Sequence, residues 1–166
     1  MGVGAGCFLL ATSLTAADTP RLPAALTGIV VKVFDGDSLI VRANGADVEV
    51  RLADVDAPEK GQPYADEARR SLAGLVHQRN VSLEVLDVDQ FHRKVARVRR
   101  ASDGLDINSE VVLRGNAWVY RRYVRDQSLF AAERSAKDRR AGLWALPEDQ
   151  RIPPWRYRSI ERRKLN

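Results

Sequence analysis

The 166-residue sequence predicts an α+β, mainly β domain, and three observations carry that reading. Five short stretches read as strands, three by alternating apolar and polar residues with a two-residue period and two by their β-branched or apolar runs. Three others repeat apolar residues at helical spacing. Gly, Asn, Asp and Pro gather between them, where turns need special backbone angles. An apolar content of 45% with a net charge of +5 excludes a disordered chain, and no run of 18 apolar residues offers a membrane span. The single Cys7 excludes an internal disulfide, and no Cys/His cluster has zinc spacing, so burial alone must stabilise the fold. The positive charge suits an anionic partner such as nucleic acid, and equally a plain solvated surface.

The first strand is the β-branched run LTGIVVKV from Leu26 to Val33. Phe34-Asp35-Gly36-Asp37 turns the chain into a second strand, Ser38 to Val41. Asn44-Gly45 is the dipeptide of a two-residue hairpin, and Val48, Val50 and Leu52 alternate behind it as a third strand. From Pro63 to Arg79 the period changes: Ala65, Ala68, Leu72, Leu75 and Val76 form one helical face, with Asp66 and Glu67 near the positive end of the dipole and His77 near the far end. Val81, Leu83 and Val85 make a fourth strand, the turn DVDQFHR follows, and Val95 to Arg99 a fifth. Ile107, Val111 and Val112 predict a short helix ended by Gly115, and Leu129, Ala132, Ala136 and Leu143 a longer one ended near Gly142. Five strands with helices after the third and fifth match the element order of a closed Greek-key barrel of the oligonucleotide-binding (OB) type with three helices. No repeat or low-complexity linker divides residues 24–146, and residues 147–166 form a basic tail.

The uncharged stretch VGAGCFLLATSLTAA, Val3 to Ala17, has the length of a signal-peptide core, with Thr15 and Ala17 placed for cleavage before Asp18. Residues 1–17 are therefore expected to be a signal peptide that directs the chain to the periplasm or outside the cell. No Lys or Arg precedes the apolar run, so a leader retained in the cytoplasm is the alternative.

Three clusters could carry chemistry. Asp35-Gly36-Asp37 sets two carboxylates around a Gly that permits an unusual turn, in the style of hard-cation ligands, although it is also ordinary loop sequence. In Arg51-Leu52-Ala53-Asp54-Val55-Asp56-Ala57-Pro58-Glu59, strict alternation puts Arg51 and Asp56 on opposite faces. A joint site there requires the strand to twist or end before Asp56, which Pro58 favours. Arg93 offers a guanidinium that can fork onto phosphate oxygens, but Lys94, Arg97, Arg99 and Arg100 are equally basic neighbours.

The ordered set DGDS, RLADVDAPE beginning fourteen residues beyond Asp37, and DQFHRKVARV resembles the staphylococcal nuclease (thermonuclease) family. Asp106-Ile107-Asn108, VLRGNAWVY from Val112 to Tyr120 and RAGLW from Arg140 to Trp144 extend the likeness over roughly residues 26–158. The resemblance implies a five-stranded OB barrel with three helices and Ca²⁺-dependent endonucleolytic hydrolysis of DNA and RNA to 3′-phosphate products. It also implies roles: Asp37 and Asp56 as Ca²⁺ ligands with the Ala57 carbonyl, Asp35 supporting them, Glu59 as general base, and Arg51 and Arg93 as the phosphate-binding pair. Phe91 and Tyr123 match aromatic positions beside the nucleotide, whereas Trp118, Trp144 and Trp155 are expected to pack in the core or tail.

Three positions depart from the family's best-known member. Ala57 replaces a Thr, which leaves a main-chain ligand intact but removes a hydroxyl. His92 replaces a Gly before Arg93, in a turn of positive φ. Lys60-Gly61-Gln62-Pro63 replaces a longer basic loop. A monomeric exported nuclease is the function these features imply, and a noncatalytic nucleic-acid-binding barrel or a protein-interaction barrel are the alternatives. Arg151, Arg156, Arg158, Arg162, Arg163 and Lys164 make the tail either a nonspecific DNA contact or a solvated end.

Overall fold

The computed structural model describes residues 26–164 together with Met1. The expected leader, apart from Met1, lies outside the described residues, as does Cys7. Strands β1 (Leu26–Val33), β2 (Ser38–Ala43) and β3 (Ala46–Leu52) form an antiparallel meander. A two-residue strand β4 (Val55–Asp56) and helix α1 (Ala65–Val76) follow. Strands β5 (Asn80–Val88) and β6 (Lys94–Arg100) form a second hairpin; β6 then runs parallel to β3 and β5 pairs with β1. The five strands close in the order β1-β2-β3-β6-β5, so the expected barrel is present. Four α-helices are described where three were expected: α1, α2 (Ile107–Leu113), α3 (Leu129–Asp138) and, in the basic tail, α4 (Pro154–Lys164). Between α2 and α3 lies β7 (Trp118–Val119), which pairs with β4. No helix among the described residues is long and apolar enough to cross a membrane.

The alternation read from the sequence fills the barrel. Val30, Leu39, Val41, Val50, Leu52, Val81, Leu83, Ala96 and Val98 are buried, and the α1 face of Ala68, Leu72, Leu75 and Val76 joins that core. Asn44 and Gly45 take φ values of 51° and 79°, the two left-handed positions of the predicted hairpin. The buried Asn108 accepts from the Val98 amide and donates to the carbonyls of Ala53 and Ala96, tying β6 to the chain that leaves β3.

The helix expected to end near Gly142, α3, is shorter than its apolar pattern. It ends at Asp138 because Arg140 turns left-handed (φ 50°); the amides of Arg140 and Ala141 then bond back to Lys137 and Ala136. Leu143 belongs to a following 3₁₀ turn, Gly142–Ala145, which crosses the end of α2. There Gly115 (φ 70°) lies so near Ala141 that a Cβ would stand 2.1 Å from its carbonyl oxygen.

Gly36 differs from the turn-former read from sequence. It is not among the residues of positive φ, and its function is close approach. A Cβ there would meet the Cβ atoms of Ala57 and Ala68 at 2.6 and 2.9 Å, so Gly36 lets the β1–β2 loop, the segment after β4 and α1 touch. Gly36→Ala is expected to lower stability by about 1–3 kcal/mol in urea unfolding, because neither neighbouring Cβ can rotate away.

Candidate active site

Asp37, Arg51, Asp56, Ala57 and Glu59 come together at one end of the barrel, and Arg93 joins them from the β5–β6 turn. Asp37 ends the loop after β1. Its amide donates to Asp35 Oδ1 (2.9 Å), its carbonyl accepts from the Leu52 amide (2.8 Å), and its Oδ2 accepts from the Ala57 amide (2.8 Å). Arg51 sits opposite Ser38 in the β2–β3 ladder, which aims its guanidinium at this loop. Its Nη1 donates to Asp37 Oδ1 (2.8 Å), while Nη2 donates to Asp56 Oδ1 (2.6 Å) and the Val55 carbonyl (3.2 Å).

The facing problem posed by strand alternation is solved between β3 and β4. Asp54 takes φ 67°, so the chain breaks out of β3 after Leu52 and re-enters extended backbone at Val55. The new direction is held by Val55 opposite Val119, by Asp56 opposite Trp118, and by the Tyr120 amide on the Asp54 carbonyl (2.8 Å). Asp54 Oδ1 also accepts from the Arg125 amide (2.8 Å), which gives this Asp a turn-forming duty.

Arg93 is aimed by Asp89. One carboxylate oxygen of Asp89 accepts from the amides of Phe91 (2.9 Å) and Arg93 (3.0 Å), and the other accepts from Arg93 Nε (2.8 Å). His92 carries the left-handed turn expected of it, at φ 64°. Burial pushes the Asp89 carboxyl up, but the hydrogen bonds from Arg93 outweigh it, and the net shift is downward. Arg93 Nη1 reaches Ser38 Oγ at 3.3 Å, and Ser38 Oγ donates to Asp37 Oδ1 (2.9 Å), so both guanidiniums connect to one carboxylate. Asp89 and Ser38 were not singled out from the sequence, since an Asp in a turn and a Ser after Asp37 each have ordinary explanations.

A cleft of about 1250 Å³ opens over this cluster, lined by Asp37, Arg51, Ala57, Glu59 and Arg93, with Phe91, Tyr120 and Tyr123 along it. Phe91 and Tyr123 are 66% and 56% exposed, the two large aromatics offered to a ligand there. Trp118 and Trp144 pack edge to face in the core, as expected, and Trp155 stacks on Tyr120 with centroids 5.5 Å apart. The tail supplies a third guanidinium: Arg158 donates through Nη2 to Asp56 Oδ2 (2.8 Å) and through Nη1 to Asp56 Oδ1 (3.2 Å) and to Glu59 Oε1. Nothing in the charge pattern of the tail distinguished Arg158 from its basic neighbours.

The donor chemistry fits a hard divalent cation. No group of three His, Cys, Asp or Glu side chains converges at metal-binding distance among the described residues. The two carboxylates and one backbone carbonyl of Asp37, Asp56 and Ala57 offer only oxygen, as Ca²⁺ and Mg²⁺ require. A carboxylate has about four lone-pair sites. Oδ1 of Asp37 and of Asp56 each accepts two donors, whereas Oδ2 of each accepts only one among the described residues. Carboxylates are crowded here: Asp37, Asp56 and Glu59 share the guanidiniums of Arg51 and Arg158, with Asp35 beside Asp37. The pKa of Asp35 rises to about 6, first through burial and then through the charge of Asp37. Asp56 is raised as well, because burial outweighs the guanidiniums beside it.

Similarity to known proteins agrees with this geometry. The family model described as staphylococcal nuclease homologue matches residues 49–146. The chain is 36% identical to Protein ParB of Escherichia coli over 144 residues, covering 81% of this chain and 80% of that protein. It is 34% identical to a micrococcal nuclease of Shigella flexneri over 148 residues, covering 84% of each. With an uncharacterized endonuclease of Haemophilus influenzae it shares 37% identity over 134 residues, covering 80% of this chain and 73% of the relative. Likeness of this extent, on a closed barrel with an arginine joining two loop carboxylates, means that the chain belongs to the staphylococcal nuclease homologue family.

Proposed function

We propose that this protein is a Ca²⁺-dependent endonuclease that hydrolyses phosphodiester bonds of DNA and RNA and leaves 3′-phosphate products. The observation that carries the reading is Arg51 bound at once to Asp37 and Asp56, in the cleft that also holds Glu59 and Arg93. Relatives named as a micrococcal nuclease and an endonuclease support it. The proposed protein acts as a monomer after export, with the apolar leader as its signal peptide.

In this reading Glu59 orients a water against phosphorus and accepts its proton as the P–O5′ bond breaks, and the departing 5′ oxygen takes a proton from solvent water in the open cleft. Arg51 and Arg93 donate to the phosphoryl oxygens on which negative charge accumulates. Arg93 can serve because its Nη1 holds only a long bond to Ser38, while Asp89 fixes the rest of the guanidinium. Bound Ca²⁺, held by Asp37, Asp56 and the Ala57 carbonyl, would supply Lewis-acid polarisation of the same phosphate. The exposed Phe91 and Tyr123 give flanking bases a surface on which to stack, without sequence preference.

Purified protein is expected to cut single-stranded and duplex DNA with Ca²⁺ and to stop when a chelator is added; binding without cleavage would instead make it a noncatalytic nucleic-acid module. Glu59→Gln is expected to lower kcat by about 10²–10⁴ and Arg93→Ala by about 10²–10³, with unchanged circular dichroism. Wild-type turnover in either variant would remove its assigned role.

Asp35 gives a pH signature of its burial beside Asp37. Its folded pKa of about 6 lies above the ordinary 3.8, so its contribution to stability is present below pH 3.8 and is lost as pH rises through 6. Asp35→Asn, which keeps an acceptor for the Asp37 amide, is expected to stabilise the chelator-treated protein by about 1–2 kcal/mol at pH 8 and to have no such effect at pH 3.5. Thermal melts at the two pH values measure the difference.

A further inference from the structure

We propose that Arg158 is a positioning residue for Glu59, and that helix α4 is thereby a working part of the active site. The inference rests on the nuclease reading above. Glu59 stands in the short loop between β4 and α1, and its side chain is 37% exposed. Among the described residues its carboxylate has one polar partner, the guanidinium of Arg158, ninety-nine residues further along the chain. The same guanidinium forks onto both oxygens of Asp56. Arg158 therefore spans the group that handles the water and a group that holds the cation, and fixes one against the other. Because Arg158 engages Glu59 through Oε1, Oε2 is left to address the water.

Independent contacts hold α4 in register for this duty. Gln62 Oε1 accepts from the Glu59 amide (2.8 Å), and its Nε2 donates to the Ile152 carbonyl (2.8 Å), which joins the Glu59 loop to the segment before α4. Trp155, three residues before Arg158 and so on the same helical face, stacks within 7° of parallel on Tyr120, which follows β7 directly. The Arg158 guanidinium itself lies 6.0 Å from the centre of the Tyr120 ring. A solvated tail would need none of these contacts. A positioned general base does need a fixed frame, since misplacement by about 1 Å can cost about 10² in rate.

The test uses the full chain with Ca²⁺ and a defined DNA oligonucleotide. Arg158→Ala is expected to lower kcat by about 10²–10³ while KM changes by less than about threefold. Added methylguanidinium should restore part of the loss, and Arg158→Lys should fall between the two because it keeps charge but loses the fork. In a Glu59→Gln background, Arg158→Ala should add less than about threefold, since both changes remove the same function. Calorimetric titration of Ca²⁺ into Arg158→Ala gives a readout independent of turnover and should show no tightening. A wild-type kcat in Arg158→Ala, a full additional loss in the Glu59→Gln background, or tighter Ca²⁺ binding with faster turnover would overturn the assignment; the last would make α4 a competitor for Asp56. If Arg158→Ala unfolds, the Arg158→Lys and Glu59→Gln pair decides by the same criterion. Failure of the wild type to cleave would strike the nuclease reading itself, whereas wild-type cleavage with an indifferent Arg158 strikes only this inference.

Discussion

The end of the barrel that carries the candidate site is organised by one partly buried guanidinium. Arg51 cannot lose its proton, and its planar fork has fixed donor directions, so the carboxylates of Asp37 and Asp56 must come to it. Burial alone would lower the Arg51 pKa, but the charges of Asp37 and Asp56 more than reverse this. The converse also holds. Two carboxylates from separate segments, both nearly inaccessible to water, could not share a site without a cation between them. Such an arrangement specifies geometry more than it adds stability, and geometry is what phosphoryl chemistry demands.

The fold supplies Arg51 with a rigid base and the carboxylates with adjustable ones. The β2–β3 ladder sets the Arg51 direction, while the two acids sit where strands end: Asp37 beyond β1 and Asp56 in a strand of two residues. Gly36 lets those ends approach without an intervening Cβ, and Asn108 ties the turn at Ala53 to the barrel wall. The site therefore depends on residues that never touch a substrate. The crowding shows in the raised carboxyl of Asp35, which is buried beside the charge of Asp37.

Much of the site was legible through its resemblance to a known family, because the residues that carry the likeness are local in sequence. DGDS and RLADVDAPE carry Asp35, Asp37, Arg51, Asp56, Ala57 and Glu59 within twenty-five residues, and the turn chemistry around them announces strand ends. The left-handed turn at His92 was readable only through that resemblance, since the family's best-known member has Gly there. Less legible was how Arg51 and Asp56 meet, because alternation opposes it and the remedy is one left-handed residue, Asp54, braced by the remote Tyr120 and Arg125 amides. The end of α3 escaped for a similar reason. Arg140 occupies a position where Gly is the usual signal, so the apolar pattern ran on to Leu143.

By itself the sequence determined where the five barrel strands lie, which residues fill the core and which loops bear the acidic and basic groups, since two-residue alternation and turn residues act over a few neighbours. Only the tertiary structure decided which cations serve the acids. Among the tail's many basic residues nothing local separates Arg158 from Arg156 or Arg162; the Trp155–Tyr120 stack and the Gln62–Ile152 bond select it. A contact between residues ninety-nine apart is set by the folded surface on which the helix lands, and no periodicity in the chain encodes that surface.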